Sequence, residues 1–163
     1  MNETLTTLKT RRSIRRYRPE QVRPETLDAI LEAGTYAPSG MGKQSAVMVV
    51  VQEPDTIALL SRLNAEIQGR PGTDPFYGAP TVVVVLADGE NYNWMRDGAL
   101  VMGNLMNAAW SLGVGSCWIN RALELFTKAP HHWHTLCKNA RQKAELFSIE
   151  RTVAQLEALY QEQ

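Results

Sequence analysis

Three short segments carry residue types and spacings that could do chemistry. The first is Arg11-Arg12-Ser13-Ile14-Arg15. Guanidinium groups and a hydroxyl within five residues can hold a phosphate through charge-assisted hydrogen bonds, although an arginine run taken alone is more often a solvated surface patch. The second is Ala37-Pro38-Ser39-Gly40-Met41-Gly42-Lys43-Gln44, a loop of small residues directly before an apolar run. Its glycines let the backbone approach a flat ligand closely, and Ser39 and Gln44 offer side-chain hydrogen bonds. A plain helix-to-strand connection would look similar, and the GxxxxGK[ST] spacing of a P-loop is absent. The third is Leu112-Gly113-Val114-Gly115-Ser116-Cys117-Trp118-Ile119. It lacks the third glycine of a dinucleotide fingerprint, where Trp118 stands, yet a Gly-x-Gly-Ser turn can still present backbone donors to an anion. Cys117, among Val, Trp and Ile with no neighbouring histidine, reads as a small apolar filler and not as a nucleophile.

No catalytic triad, carboxylate pair or metal motif accompanies these segments. His131-His132-Trp133-His134 clusters three histidines, but without an acidic or cysteine ligand at a convincing spacing, so no metal site is expected.

Elements that could position the three segments follow from periodicity. Thr4–Lys9 reads as a short helix leading into the arginines. Pro24–Ala33 has proline and acidic residues at its start and Leu27, Ile30 and Leu31 on one face. Val47–Val51 and Thr81–Ala87 are short apolar runs suited to strands buried on both faces. Pro54–Ala65 reads as a helix with Ile57, Leu60 and Leu63 inward, and the glycine- and proline-rich 69–80 as a flexible connection. Over Asn93–Leu112, Val101, Met102, Leu105, Met106, Ala109 and Leu112 recur at helical spacing beside small Gly98, Gly103 and Ala108. That pattern predicts a central helix packed closely on both sides. The third segment should turn from glycine loop into a third strand, giving a layered α/β or α+β domain. Lys128–Cys137 shows no period, and Asn139–Gln163 reads as an amphipathic helix, broken near Phe147-Ser148.

Composition narrows the class. The chain has 163 residues, 17 basic and 17 acidic, with 44% hydrophobic and 21% charged residues, as expected of one globular domain and not of a disordered chain. Zero formal net charge argues against a dedicated nucleic-acid binder. No apolar run reaches membrane-spanning length, and the N-terminus has no signal-peptide apolar core. Two cysteines, Cys117 and Cys137, make no CxxC pattern, so a reducing cytoplasm is the expected compartment.

The segments in order are more specific than any one of them. Arg-Arg-Ser-x-Arg, then Ala-Pro-Ser-Gly with Gln44, then Gly-Ala-Pro before the second valine run, follow one another. After them come Asp97-Gly98-Ala99-Leu100 with Asn104-Leu105-Met106-Asn107-Ala108-Ala109, and finally Leu-Gly-Val-Gly-Ser-Cys-Trp-Ile. Over about Leu5–Phe126 this resembles the nitroreductase family of FMN-dependent oxidoreductases. The resemblance implies an α+β fold, a central, mainly antiparallel sheet flanked by helices, and a homodimer with FMN at the interface. It assigns the FMN phosphate and ribityl chain to Arg11, Arg12, Ser13 and Arg15. Pro38, Ser39 and Gly40 would approach the flavin from the other subunit, Gln44 matches the cofactor-binding glutamine that follows this loop, and Gly113, Gly115 and Ser116 would lie beside the ring. NAD(P)H would serve as co-substrate, with an electron-poor small-molecule acceptor, nitroaromatic or quinone, following in ping-pong order. No side chain of the protein is then needed as acid, base or nucleophile.

The chain departs from the family pattern at Gly42, where many relatives carry asparagine, and at Ser45-Ala46, where they carry Pro-Trp. After Phe126 the match fades, and the family's Gly-Tyr-Pro-like motif and late basic residue are not recognisable. Residues 1–126 are therefore expected to form the flavin-binding core and 127–163 a divergent, mostly helical tail of the same domain, with the C-terminal part of the fold truncated or altered. The alternative is a flavin-binding or inert scaffold that lost turnover with those elements.

Overall fold

The computed structural model describes residues 2–119, all within the first of the two units into which the chain divides, Met1–Arg121 and Ala122–Gln163. The histidine cluster, Cys137 and the amphipathic tail lie outside the described residues.

Helix α1 (Glu3–Thr10) starts on Asn2, whose side-chain oxygen accepts the Thr4 amide at 2.9 Å. Helix α2 (Pro24–Thr35) begins with Pro24, whose fixed φ suits a first helical position and whose missing N–H has no partner to lose there. Strand β1 (Val47–Val51) follows the Ala37–Gln44 loop, and α3 (Pro54–Ile67) is capped by Glu53, which accepts the Asp55 and Thr56 amides. Strand β2 (Val82–Leu86) then pairs antiparallel with β1, Val47 opposite Leu86 and Val51 opposite Val82. Helix α4 (Trp94–Ser111) closes the described order.

The core lies between α2, α4 and one face of this sheet. Ile30, Ala37, Val101, Leu105 and Ala109 are buried, with Met48, Val83 and Val85 packed against them. The residues of α4 in this set recur every four positions, so one stripe faces α2. Close approach requires Gly34: a Cβ there would sit 2.6 Å from the Met48 sulfur and 2.9 Å from a Leu105 methyl.

Three expectations need correction. Among the described residues the third segment does not form a strand: within Gly113–Ile119 there is one isolated parallel bridge, Ser116 to Ser13. The described sheet therefore has two strands. Nor are these strands buried on both faces, because Val47 is 58% exposed and the rest of β1 and all of β2 are only half-buried. Helices cover the face carrying Met48, Val83 and Val85, and a valine run alone does not say whether a second cover exists. Finally, α4 is not tightly packed all round. Leu112 is exposed, and a Cβ on Gly103 would meet nothing within 4 Å among the described residues. The α+β class itself stands.

Candidate functional site

The N-terminal arginines and the Gly-x-Gly-Ser turn come together after the end of α4. That helix stops in a paired-hydrogen-bond cap: Gly113, at φ +75°, donates its N–H to the Trp110 carbonyl, and Val114 donates to Ala109 at 2.8 Å. Val114 packs against the core that contains Ala109, which completes the cap. The chain emerges alongside the segment after α1, where Ile14 donates its N–H to the Ser116 carbonyl at 3.0 Å. Gly115 is required by this approach, since a Cβ would lie 3.0 Å from the Ile14 side chain. Trp110 adds a tether from its indole N–H to the Thr10 hydroxyl at 3.0 Å.

Within this junction the arginines do different things. Arg12 folds back and donates Nη1 to the carbonyls of Lys9 and Arg11, at 2.9 and 2.8 Å, closing the C-terminal end of α1. Arg11 Nη1 is buried and meets no hydrogen-bond acceptor among the described residues. A cationic donor out of water without an acceptor is costly, and an anion reaching that atom would relieve the cost. Ser13 and Arg15 are exposed at the same junction. The residues fit a phosphate-bearing group such as the one FMN carries.

Tyr17 donates its hydroxyl to the Ile14 carbonyl at 2.6 Å. Burial, with a smaller contribution from nearby Cys117, pushes its phenol up to about 12. It is therefore a neutral strut at ordinary pH. Cys117 is a free thiol.

The second segment sits elsewhere. Ala37 is buried in the core, and the loop after it turns through a 3₁₀ turn at Gly40–Gly42. Met41, Gly42 and Gln44 take left-handed φ values of 58°, 66° and 47°. For Met41 and Gln44 this costs about 1–3 kcal/mol each and persists only where the surroundings impose it. Ser39 Oγ accepts the Gln44 amide at 2.9 Å, and Gln44 Nε2 reaches back to the Ala37 carbonyl. Both polar side chains read from the sequence as ligand contacts thus also hold the loop's own shape. The Gly40 N–H is held by Asp97 Oδ1 at 3.0 Å, in the first turns of α4, and Pro38 is exposed.

The arginine junction and this loop are therefore anchored near opposite ends of α4. One is tied to Trp110 and the other to Asp97, about 20 Å apart along α4 at ~1.5 Å per residue. An open hollow of about 330 Å³, walled by Arg70, Asp74, Tyr77 and Trp118 among others, lies just beyond the Ser116 bridge in sequence. Burial would raise the Asp74 carboxyl, but hydrogen bonds from Ser61 and from the Gly78 and Phe76 amides outweigh it and hold the group below the usual range. Among the described residues, no group of three or more His, Cys, Asp or Glu could hold a metal, and no helix is long and apolar enough to cross a membrane.

Sequence reasoning did not single out Asp97, Asn91 or Tyr17 as site residues. Asp97 stood in the family-pattern run Asp97-Gly98-Ala99-Leu100 and as an acidic residue early in a helix, and neither signal gave it a partner or a role.

The α+β unit thus carries a buried arginine nitrogen without a hydrogen-bond partner among the described residues at its glycine-turn junction, an arrangement that could accept an anionic group. The chain belongs to the nitroreductase family, whose model matches residues 8–129. It is 32% identical over 124 residues to a protein of Archaeoglobus fulgidus provisionally named NADH dehydrogenase/NAD(P)H nitroreductase, covering 73% of this chain and 68% of that one. A like-named protein of Methanothermobacter thermautotrophicus is 28% identical over 120 residues, and the chain spans 60% of its length. Among solved structures, a nitroreductase with bound FMN from Bacteroides fragilis is 34% identical with a TM-score of 0.76, the match covering 85% of this chain and 80% of that one.

Proposed function

We propose that this protein is a cytoplasmic, homodimeric, FMN-dependent oxidoreductase that takes hydride from NAD(P)H and passes reducing equivalents to an electron-poor small molecule of the nitroaromatic or quinone type. The observation that carries the reading is the buried, unpartnered Arg11 Nη1 at the junction of the arginine segment with the Gly-x-Gly-Ser turn. Further support comes from the FMN-bound relative and from 36% identity over 88 residues to the FMN reductase [NAD(P)H] of Bacillus subtilis.

When bound, FMN supplies the hydride-accepting and hydride-donating chemistry. The chain's own residues bind and orient it. Arg11 and Arg15, with Arg12 and Ser13 beside them, hold the phosphate by charge-assisted hydrogen bonds. Gly113, Gly115 and Ser116 keep the backbone low enough for the ring to lie close. Pro38, Ser39, Gly40 and Gln44 of a second copy cover the ring. The family resemblance is the reason to invoke that second copy, and the separate anchors of the two segments along α4 support it.

The test is direct. The purified protein should be yellow, and NADH or NADPH without oxygen should bleach it. A yellow protein that neither nucleotide bleaches is a flavin-binding scaffold and not a reductase. A colourless protein that ignores added FMN refutes both readings.

A further inference from the structure

We propose that Asp97 and Asn91 are positioning residues that set the shape of the flavin-facing loop before the ligand arrives, an inference that rests on the FMN reading. Asp97 is 3% exposed and Asn91 7% exposed. A carboxylate so far from water must be compensated by donors. Asp97 Oδ1 accepts the Gly40 N–H at 3.0 Å, across 57 residues of sequence, and Oδ2 faces Asn91 Nδ2 at 3.4 Å. The same Nδ2 donates to Ser45 Oγ at 3.0 Å, and Asn91 Oδ1 accepts the Asn93 N–H at 3.2 Å. The Asn91 amide is thus held in one orientation, with acceptors on one side and a donor on the other. Asn93 also lies against the loop, since a Cβ on Gly40 would come within 2.8 Å of its Cγ.

These contacts grip the loop at Gly40 and at Ser45. Between the two points lie the left-handed Met41, Gly42 and Gln44. Met41 is 85% exposed, so burial does not hold it in that conformation. Beside the bonds that Ser39 and Gln44 make within the loop, the pair of fastenings at its ends, both built from the segment that starts α4, over-determines it. A carboxylate early in a helix also favours the helix dipole, but that role needs neither burial nor a bond to a distant glycine.

The two roles are separated by exchanging the side chains. Asp97→Asn alone sets two amide donors face to face, and Asn91→Asp alone sets two buried carboxylates together. Asn91→Asp with Asp97→Asn restores every bond: the amide at 97 accepts from Gly40 and donates to the carboxylate at 91, which also accepts from Ser45 Oγ–H and the Asn93 N–H. We would measure the FMN dissociation constant, the hydrogen exchange of the Gly40 amide in flavin-free protein, and KM against kcat for NAD(P)H at saturating FMN. Each single variant should weaken FMN binding about tenfold and speed Gly40 exchange by a similar factor, and the exchanged pair should recover both to within about twofold. An exchanged pair no better than the singles, or single variants that match the parent in FMN binding and Gly40 exchange, overturns the proposal. Should a single variant fail to fold, the exchanged pair still decides. A parent protein that binds no FMN refutes the functional reading and this one with it, whereas an FMN-binding parent with indifferent variants refutes this inference alone.

Discussion

Arg11 and Tyr17 show how much one atom's surroundings decide. Five arginines crowd the N-terminal segment, and by type alone they are equivalent. Only Arg11 places a buried nitrogen where no acceptor waits, while Arg12 has an Nη1 engaged by the carbonyls that end α1. Arg11→Ala should therefore raise the FMN dissociation constant by about ten- to a hundredfold, from the loss of one charged hydrogen bond of roughly 1.5–3 kcal/mol. Arg18→Ala, at an exposed position outside the motif, should leave it unchanged, and fluorescence titration of FMN separates the two. Tyr17 predicts an alkaline signature. Its folded phenol sits above the ordinary value of 10.0, at about 12, so folding favours the protonated form. The associated stability is fully present below pH ~10 and fades as the pH climbs toward 12. In a tyrosinate absorbance titration one of the five tyrosines should ionise late, and Tyr17→Phe should remove that late phase.

At the scale of elements, the two glycines of the turn after α4 are required for different reasons. Gly113 ends the helix at φ +75°, where a Cβ is strained. Gly113→Ala should cost about 1 kcal/mol, which lowers the melting temperature by about 2–4 °C in a chain of this size, with the arginine junction otherwise intact. Gly115 has no such φ but lies against Ile14, so Gly115→Ala makes the Ile14 side chain give by a few tenths of an ångström. That change should weaken FMN binding more than it lowers thermal stability, and paired melting and titration experiments show the contrast. Equal penalties on both measures would mean the bridge serves only packing. The same helix carries the loop contacts at its other end, so α4 acts as the spacer between the two halves of the proposed site.

On the scale of the whole molecule, that spacing predicts shared sites. Mixing an Arg11→Ala/Arg15→Ala protein with a Gly40→Val protein should produce hybrid dimers in which one site is intact and the other doubly defective. Random reassortment would then restore about a quarter of the parent's bound FMN, although neither variant binds it alone. No recovery after subunit exchange would place both motifs in a single chain. Local signals made much of this architecture legible: proline at helix starts, a valine run bounded by glycine and proline, and helical spacing in α4 recovered four helices and two strands to within a few residues. Those signals act between neighbours and survive in any context. The ordered motifs likewise pointed to the family before any fold was known. What adjacent residues could not specify was set by partners far along the chain. Among the described residues the expected third strand is a single bridge to Ser13, a long-range pairing that no local pattern announces, and a run of valines does not record how many of its faces find cover. Asp97 belonged to a family-pattern run, but its partner became visible only when folding brought Gly40 to it across 57 positions. Arg11 stood apart from its neighbours only once burial removed water and left one nitrogen without an acceptor, because desolvation is a property of the folded surroundings and not of the residue.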